Sequence, residues 1–281
     1  MHRTRFILSR FHILGASVAV GVGLTYTIHR QSQYGKINAA VKQLDDQVFQ
    51  HTPTKWNYNW DNRQPLAKDD SSKNTVISSD QSAIPTASRM IILIRHGNYN
   101  TRGLEDSDRK LTILGHQQAH VTGKRLQSIL TMPVDNVYYS TMTRATETAN
   151  IINQYLKYKH IQNCSLIEEG APIRPEPPLS SYRPDDYQYK VDHARIESAF
   201  RKYFHRADVD QKENSIDVII CHANVIRYFV CRALQLPPEA WLRISIGHCS
   251  ITTVVIRPSG RVTLRGLGDI GHVPPDLISF S

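Results

Sequence analysis

The chain of 281 residues contains the stretch Met90-Ile91-Ile92-Leu93-Ile94-Arg95-His96-Gly97. Its first five residues are apolar without interruption, which is typical of a parallel strand that is covered on both faces. Two residues that can carry chemistry, Arg95 and His96, follow at once. Because ligands of open α/β sheets bind beyond the carboxyl ends of the strands, we expect this arginine and this histidine at a functional site.

The sequence after Gly97 alternates between helical and strand patterns. Helices are predicted over residues 112–130, 144–156, 191–204 and 224–234, and further strands over 136–139, 165–167, 216–221, 251–256 and 262–267. The last two strands are predicted to form a hairpin around Pro258-Ser259-Gly260. This order predicts an α/β fold with a mostly parallel central sheet and helices on both faces.

The ends of the other predicted strands also carry chemically useful side chains. Directly after the second, third and fourth strands stand Ser140-Thr141-Met142-Thr143-Arg144, Glu168-Glu169-Gly170 and His222-Ala223-Asn224. Parallel strands end at the same edge of a sheet, so these segments are expected beside Arg95 and His96. Two histidines, two arginines and a carboxylate therefore converge on one rim.

These residue types are the ones that phosphoryl transfer through a covalent intermediate requires. His96 is the candidate nucleophile, because an imidazole nitrogen can attack phosphorus and later release it to water. Arg95 and Arg144 can hold the phosphate oxygens with planar, multidentate guanidinium groups. His222 adds a donor to the same oxygens, and Glu169 can protonate the leaving oxygen and then deprotonate the attacking water. We therefore predict these five residues to be catalytic.

Two small residues are predicted to complete the phosphate site. Gly97 and Ala223 let backbone N–H groups approach an anion, the second at a helix start where the helix dipole favours negative charge. The predicted phosphate-binding residues are Arg95, Arg144, His222, Gly97 and Ala223. This chemistry needs no cofactor and no metal ion. Each of these residues alone is usually only a polar or small residue at a sheet edge, so the hypothesis depends on the whole set.

The same motifs resemble those of a known family. Leu93-Ile94-Arg95-His96-Gly97 is similar to the signature of the histidine phosphatase superfamily, also called phosphoglycerate mutase-like, and residues 144–149 are similar to its second arginine motif. Glu169 and His222 stand where that family has its acid/base residue and its second histidine. The resemblance implies a phosphoglycerate mutase-like fold and a phosphohistidine intermediate on His96. It covers the chain from about residue 90 to the C terminus.

Three further segments resemble the mitochondrial serine/threonine protein phosphatases of this family. They are Glu169–Ile173, Cys221–Tyr228 and Gly268–Asp276. The resemblance implies that the substrates are proteins phosphorylated on serine or threonine, and that the chain is held in a mitochondrial membrane as a homo-oligomer.

Two alternative functions share parts of this pattern. A small-metabolite phosphatase or a mutase would use the same phosphate pocket, but the proline- and tyrosine-rich segment 171–189 lacks the Tyr-Gly-Gly-Leu-like run of sugar-phosphate mutases, which favours hydrolysis. A non-catalytic scaffold is the second alternative. Degenerate scaffolds usually lose the nucleophile or an arginine, and neither is missing from this sequence.

An uncharged segment, residues 11–28, follows a start that is rich in arginine and free of acidic residues. About 17 to 25 apolar residues span a bilayer, so this segment is just long enough. We predict that residues 1–30 are a membrane anchor with mitochondrial targeting, and a cleaved secretory peptide is the alternative. Residues 31–89 are predicted to be a linker and residues 90–281 the catalytic domain.

The predicted linker contains an aromatic island, Trp56-Asn57-Tyr58-Asn59-Trp60-Asp61. Exposed tryptophans in a polar linker mark a contact surface, and folding back onto the chain's own catalytic domain is an equally open alternative. The island resembles the family's W-D-x-N-W-D assembly motif, with Asn57 in place of the first aspartate. This resemblance implies that Trp56, Trp60 and Asp61 drive dimers into larger rings and that assembly raises activity.

The composition limits the other classes of function. The net charge of +9 suits anionic substrates, and no stretch combines dense lysine and arginine with aromatics as nucleic-acid modules do, so no nucleic-acid partner is predicted. The four cysteines form no C-x-x-C pair and are expected to be reduced, buried thiols. His116 and His120 are four apart on a predicted helix, but no third metal ligand is evident, so a helix face without metal is favoured.

Overall fold

The computed structural model describes residues 55–63 and 85–280, and the described residues from Asn57 onward belong to one compact unit. Within them the strands are β1 (Arg89–Arg95), β2 (Val134–Ser140), β3 (Tyr158–Cys164), β4 (Ser215–Cys221), β5 (Ile251–Ile256) and β6 (Val262–Asp269). The α-helices are α1 (Ile113–Ile129), α2 (Thr143–Ile152), α3 (Asp186–Tyr203) and α4 (Ala223–Ala233). Short 3-10 helices cover Asp106–Asp108, Asn153–Tyr155, Ser165–Ile167, Pro238–Arg243 and Pro275–Leu277.

The six strands form one mixed sheet in the order β3-β2-β4-β1-β5-β6. The pairings of β2 with β3, β2 with β4 and β1 with β4 are parallel, whereas β5 is antiparallel to both of its neighbours. The α/β class and the hairpin between the last two strands are therefore confirmed. The buried central strand β1 follows from its apolar run, since a strand covered on both faces needs apolar side chains at every position.

The core lies on both sides of this sheet. On one face, alternate residues of the central strands, such as Ile92 and Val218, pack in a cluster with Ala119 of α1 and Ile152 of α2. The opposite face is covered by α3 and α4, where Phe200 of α3, Phe204 directly after α3 and Phe229 of α4 contact one another. The four cysteines of the chain all lie in the described part and are buried and free.

Two helices begin at residues suited to cap them. The Thr112 side chain accepts the backbone N–H of Gly115 at the start of α1, and the Asp185 side chain accepts that of Gln188 at the start of α3. The helix α3 starts five residues earlier than the predicted position, Val191. The helix α2 ends at Ile152 and continues only as a 3-10 turn, whereas the pattern predicted a helix to residue 156.

The predicted strand over residues 165–167 is wrong. These residues form a 3-10 turn, and the strand next to β2 is β3, Tyr158–Cys164. This strand lies at the edge of the sheet, where six of its seven residues are exposed. An edge strand needs no apolar run, so the hydrophobic pattern did not reveal it.

The predicted membrane segment, residues 11–28, lies outside the described residues. In the described ranges, no helix is both long and apolar enough to cross a bilayer. The domain bounds 1–30, 31–89 and 90–281 stay predictions.

Candidate active site

The two candidate histidines lie side by side because β1 and β4 are adjacent parallel strands in register. Arg95 and Cys221, the last residues of the two strands, are paired, so His96 and His222 leave the sheet at the same level. The backbone N–H of His96 donates to the carbonyl of Cys221 at 2.9 Å. The two imidazole rings lie 5.0 Å apart between centroids, and both are buried.

The hydrogen bonds of His96 define which nitrogen can act as a nucleophile. Its Nδ1 lies 2.8 Å from the carbonyl oxygen of Gly97, which only accepts, so the proton of the neutral ring is assigned to Nδ1. The lone pair of Nε2 then faces the site, where the Arg144 Nε donates to it at 3.3 Å. Burial, followed by the charges of His222, Arg95 and Arg144, holds the pKa of His96 well below its ordinary value. The ring is therefore neutral and nucleophilic at neutral pH.

His222 is held in the tautomer that donates toward the same space. The Ser140 hydroxyl accepts the backbone N–H of Met142 at 3.3 Å, and we assign its own proton to the bond with the His222 Nε2, 2.8 Å away, because the hydroxyl donates to no other described residue. The imidazole proton is then assigned to Nδ1, which is buried and has no hydrogen-bond partner among the described residues. Burial holds the pKa of His222 well below its ordinary value, so this ring is a neutral donor.

The two candidate arginines enter the site from different elements. Arg95 ends β1 and donates from Nη1 to the Ile246 carbonyl at 2.7 Å, and burial lowers its pKa to about 10. Arg144 lies in the first turn of α2, 3% exposed, with its guanidinium 4.7 Å from the ring centre of Tyr99. Its Nη1 lies 3.5 Å from the Asp106 carboxylate but makes no hydrogen bond with any described residue. Both cations are thus fixed beside the His96 ring.

Glu169 reaches the site from the segment that follows the 3-10 turn at residues 165–167. Its Oε1 accepts the backbone N–H groups of Gly170 and Asn224, each at 3.3 Å, which places the carboxylate at the N-terminal end of α4. Burial raises the pKa of Glu169, although Arg144 and Arg95 oppose that shift. A carboxyl group with a raised pKa can hold a proton to donate.

The backbone N–H groups of the two small residues, Gly97 and Ala223, have different surroundings. Gly97 donates its backbone N–H to the Thr148 hydroxyl at 3.0 Å, and a β carbon here would lie 2.7 Å from the Gly115 carbonyl of α1. This glycine therefore has a packing role, and its predicted contact with phosphate stays a prediction. Ala223 is the first residue of α4, where a backbone N–H has no partner within the helix.

The aromatic island divides between two units of the chain. Trp56 lies outside the compact unit, so its predicted role stays a prediction. Trp60 and Asp61 fold back onto their own unit: the Trp60 indole donates to the Gly260 carbonyl at 2.7 Å, and Asp61 forms a buried ion pair with Arg206 at 2.6 Å. The contact of these two residues with the chain's own catalytic domain is thus observed.

Sequence reasoning missed several residues of the site. His248 is buried, with its ring 5.6 Å from that of His96, and burial lowers its pKa to about 3. Tyr99 packs edge-on against His96 at 5.1 Å. No pattern in the sequence showed that β5 runs antiparallel to β1, which places His248, before β5, at the rim where β1 ends.

The two helical histidines considered as metal ligands, His116 and His120, have different surroundings on α1. His120 Nδ1 bonds to the Tyr155 hydroxyl at 2.9 Å, and His116 is exposed on α1. The described ranges contain no group of three or more side chains placed to hold a metal ion.

Comparisons with known proteins agree on one family. The model of the histidine phosphatase superfamily (branch 1) matches residues 91–171 and 180–269. The mitochondrial serine/threonine-protein phosphatase PGAM5 of Rattus norvegicus is 50% identical over 233 residues, which cover 80% of this chain and 81% of the relative. The Pgam5 phosphatase of Caenorhabditis briggsae, also named mitochondrial, is 47% identical over 275 residues, covering 95% and 96%.

Solved structures match the fold as well. The structure of YhfR from Bacillus stearothermophilus aligns with a TM-score of 0.52 at 21% identity and covers 66% of this chain and all of that one. At this identity the likeness carries the fold alone. The family model and the close relatives confirm the resemblance that the motifs around His96, Arg144 and His222 predicted. The chain therefore belongs to the histidine phosphatase superfamily (branch 1).

Proposed function

We propose that this chain is a serine/threonine protein phosphatase that works through a phosphohistidine on His96. The observation that carries the proposal is the hydrogen bond from the His96 Nδ1 to the Gly97 carbonyl, which leaves the Nε2 lone pair facing Arg144, with the His222 ring and the charge of Arg95 nearby. A nucleophile, cationic phosphate ligands and an acid are the parts that hydrolysis through a covalent intermediate needs.

The first half of the reaction transfers the phosphoryl group. The His96 Nε2 attacks phosphorus and the bond from phosphorus to the serine or threonine oxygen breaks. Glu169 gives its proton to that oxygen, so the alcohol leaves neutral. Arg95, Arg144 and the His222 Nδ1–H bind the phosphoryl oxygens, where the charge of the transition state is spread.

The second half of the reaction releases phosphate. Glu169, now ionised, takes a proton from a water molecule whose oxygen attacks phosphorus. The bond between phosphorus and Nε2 breaks, the electron pair returns to the imidazole, and inorganic phosphate leaves. The low pKa of His96 favours this step, because a weakly basic imidazole is a good leaving group.

The choice of phosphoprotein as substrate is supported by the relatives, which are named serine/threonine-protein phosphatases. Their names also include a mitochondrial location, and we extend it to this chain with residues 11–28 as a single membrane anchor. Assembly into dimers and rings through Trp56, Trp60 and Asp61 belongs to the same proposal. Trp60 and Asp61 are bound within their own unit, and exchange of these contacts between copies, as in domain swapping, is one route to such assembly.

The experiment is phosphate release by the full-length chain from a phosphothreonine peptide and from 3-phosphoglycerate, side by side. His96→Ala is expected to abolish peptide turnover, and His116→Ala, which removes an exposed histidine of α1, serves as the matched control. Turnover of the metabolite alone would move the function to small-molecule chemistry. No His96-dependent turnover of either substrate would leave a scaffold as the better account.

The assembly proposal has its own test. Sedimentation velocity of the full-length chain is expected to give a larger species for the wild type than for Trp60→Ala, together with higher peptide turnover. Equal size of the two proteins would contradict a role of the island in assembly without affecting the proposal for His96.

A further inference from the structure

A side chain outside the predicted set contacts the helix that carries Arg144. It is Asp106, the first residue of the 3-10 turn Asp106–Asp108 between β1 and α1. Its Oδ2 accepts both the backbone N–H and the hydroxyl of Thr143, each at 2.8 Å. Its Oδ1 lies 3.5 Å from the Arg144 Nη1. The two oxygens of one carboxylate therefore contact two neighbouring residues at the start of α2.

The start of α2 has no cap of its own. Its N-cap residue is Met142, whose side chain makes no capping hydrogen bond. The backbone N–H of Thr143, the first residue of the helix, has no acceptor within the helix. Asp106 supplies that acceptor from a different segment, and its negative charge suits the positive end of the helix dipole. The placement of the turn that carries Arg144 thus depends on Asp106.

The guanidinium group of Arg144 is contacted by three side chains. Its Nε donates to the His96 Nε2 at 3.3 Å, and its Nη2 donates to the Met142 sulfur at 3.4 Å. Its Nη1 faces the Asp106 Oδ1, and neither of these two buried atoms has a hydrogen bond with a described residue. Sulfur is a weak acceptor, and the lone pair of His96 leaves Arg144 when it attacks phosphorus. Of the three contacts, the one with Asp106 is the charged contact that persists through the reaction.

The segment that carries Asp106 is itself fastened to α2. Tyr99 and Leu111, near the two ends of this segment, form an antiparallel bridge. The Leu111 backbone N–H donates to the Glu147 carboxylate of α2 at 2.7 Å. The Tyr99 ring packs on the Arg144 guanidinium at 4.7 Å. The carboxylate of Asp106 is thus held at a fixed place relative to α2, as a positioning group has to be.

We infer that Asp106 is a positioning residue for phosphoryl transfer. It acts through Arg144, whose guanidinium group it keeps turned toward the phosphoryl oxygens while His96 attacks. The inference deepens the proposed function and rests on it. The negative charge of Asp106 weakens ground-state binding of a phosphate dianion, whereas a fixed guanidinium stabilises the charge of the transition state. Loss of Asp106 is therefore expected to lower kcat rather than to raise KM.

The kinetic test compares Asp106→Asn with Asp108→Asn in the full-length chain. Asparagine at position 106 keeps an oxygen for the Thr143 N–H and removes the charge that faces Arg144. With a phosphothreonine peptide we expect kcat to fall about tenfold and KM to stay within about twofold of the wild type. Asp108 lies exposed in the same turn, where its carboxylate contacts the Glu105 N–H, and its replacement is expected to leave both constants unchanged. Equal kinetics of the two variants would overturn the inference.

A second measurement separates positioning from a structural role. Orthovanadate takes the five-coordinate geometry of a phosphoryl group in transfer, and its binding is measured by calorimetry. The proteins are the wild type, Asp106→Asn, Arg144→Ala and the double variant. We expect Asp106→Asn to weaken vanadate binding about tenfold when Arg144 is present and to have no effect when it is absent, because nothing is then left to position. The same weakening in both backgrounds would mean that Asp106 supports the site as a whole, and the inference would be wrong.

Failure of the inference and failure of the proposed function give different results. If the wild type hydrolyses the peptide and Asp106→Asn binds vanadate as tightly as the wild type, the phosphatase stands and the inference falls. If the wild type hydrolyses no phosphothreonine peptide but binds vanadate, the protein phosphatase falls and the four vanadate affinities decide the role of Asp106. A wild type that binds no vanadate overturns the inference, which requires a five-coordinate phosphoryl group beside Arg144.

Discussion

The strand β1 carries a buried arginine at each end, Arg89 and Arg95. The groups around the two arginines differ in whether their hydrogen-bond donors have partners. At the amino end, Arg89 donates from Nη2 to the Asp217 carboxylate at 2.6 Å and from Nη1 to two backbone carbonyls. The other oxygen of Asp217 accepts the Asn136 amide at 2.7 Å. At the carboxyl end, Arg95 lies among Arg144, His96 and His222, and the buried Nδ1 of His222 and Nη1 of Arg144 lack hydrogen bonds with described residues.

The difference separates a structural charge from a functional one. Buried charges are tolerated when they are paired and hydrogen-bonded, as Arg89 and Asp217 are. Donors that are buried without acceptors cost free energy, and a phosphate dianion would satisfy them. The amino end is therefore built for the folded state, and the carboxyl end for the state with phosphate bound.

The largest effect is expected on stability at the amino end. Asp217→Ala leaves the Arg89 guanidinium buried without its carboxylate, and we expect the free energy of unfolding to fall by about 3–5 kcal/mol. The urea midpoint at neutral pH measures this loss. Arg89→Met combined with Asp217→Ala is expected to recover most of it, because no uncompensated charge remains. A loss below about 1 kcal/mol in the single variant would show that water reaches the pair, in line with exposed ion pairs.

The next effect contrasts the two arginines of β1 directly. Arg95→Lys keeps the charge but removes the planar fork, and we expect kcat/KM for a phosphothreonine peptide to fall about 10²–10³-fold. Arg89→Lys, the matched control at the other end of the strand, is expected to lower stability while leaving kcat/KM close to that of the wild type at temperatures where it is folded. Comparable losses of activity in both variants would contradict the division between the two ends.

A smaller effect is expected from the hydroxyl that orients His222. Ser140→Ala removes the proton donor to the His222 Nε2, so the ring can populate the tautomer whose Nδ1 does not donate to phosphate. We expect kcat to fall about tenfold, with the acid limb of the pH profile shifted. Ser140→Thr retains the hydroxyl and is expected to restore part of the activity. Unchanged kcat in Ser140→Ala would show that phosphate binding alone sets the tautomer.

Four residues of this site were predictable from the sequence, because they follow the ends of predicted strands. The apolar run of β1 fixes where Arg95 and His96 leave the sheet, and β4 does the same for His222. Glu169 was found although the strand before it was misplaced, since a short turn connects the true edge strand to the same rim. Position relative to a strand end was therefore a sufficient guide for these four residues.

The remaining contributors depend on geometry that no local pattern encodes. His248 precedes the antiparallel strand β5, whereas the sequence analysis considered only residues that follow a strand, so His248 was not identified. Ser140 ends β2, and its role follows only from the direction of two hydrogen bonds. The docking of Trp60 on Gly260 joins residues 200 positions apart, which propensity and spacing do not reveal.

The smallest effect concerns the acid stability of the carboxyl end. The pKa of His222 is lowered well below its ordinary value of 6.5 in the folded chain. Below pH 6.5 the unfolded chain binds a proton on this histidine and the folded chain does not, so stability is lost as the pH falls. One such histidine costs about 0.7 kcal/mol between pH 7 and pH 6. The measurement is the free energy of unfolding in urea at pH 7 and at pH 6. Between these pH values His222→Asn is expected to lose less of this free energy than the wild type, by the amount given above. The control His116→Asn, a change on the exposed surface of α1, is expected to lose as much as the wild type. Equal slopes for all three proteins would mean that the folded chain accepts a proton at His222 between pH 7 and pH 6, and the assignment of this ring as a neutral donor would fail at pH 6.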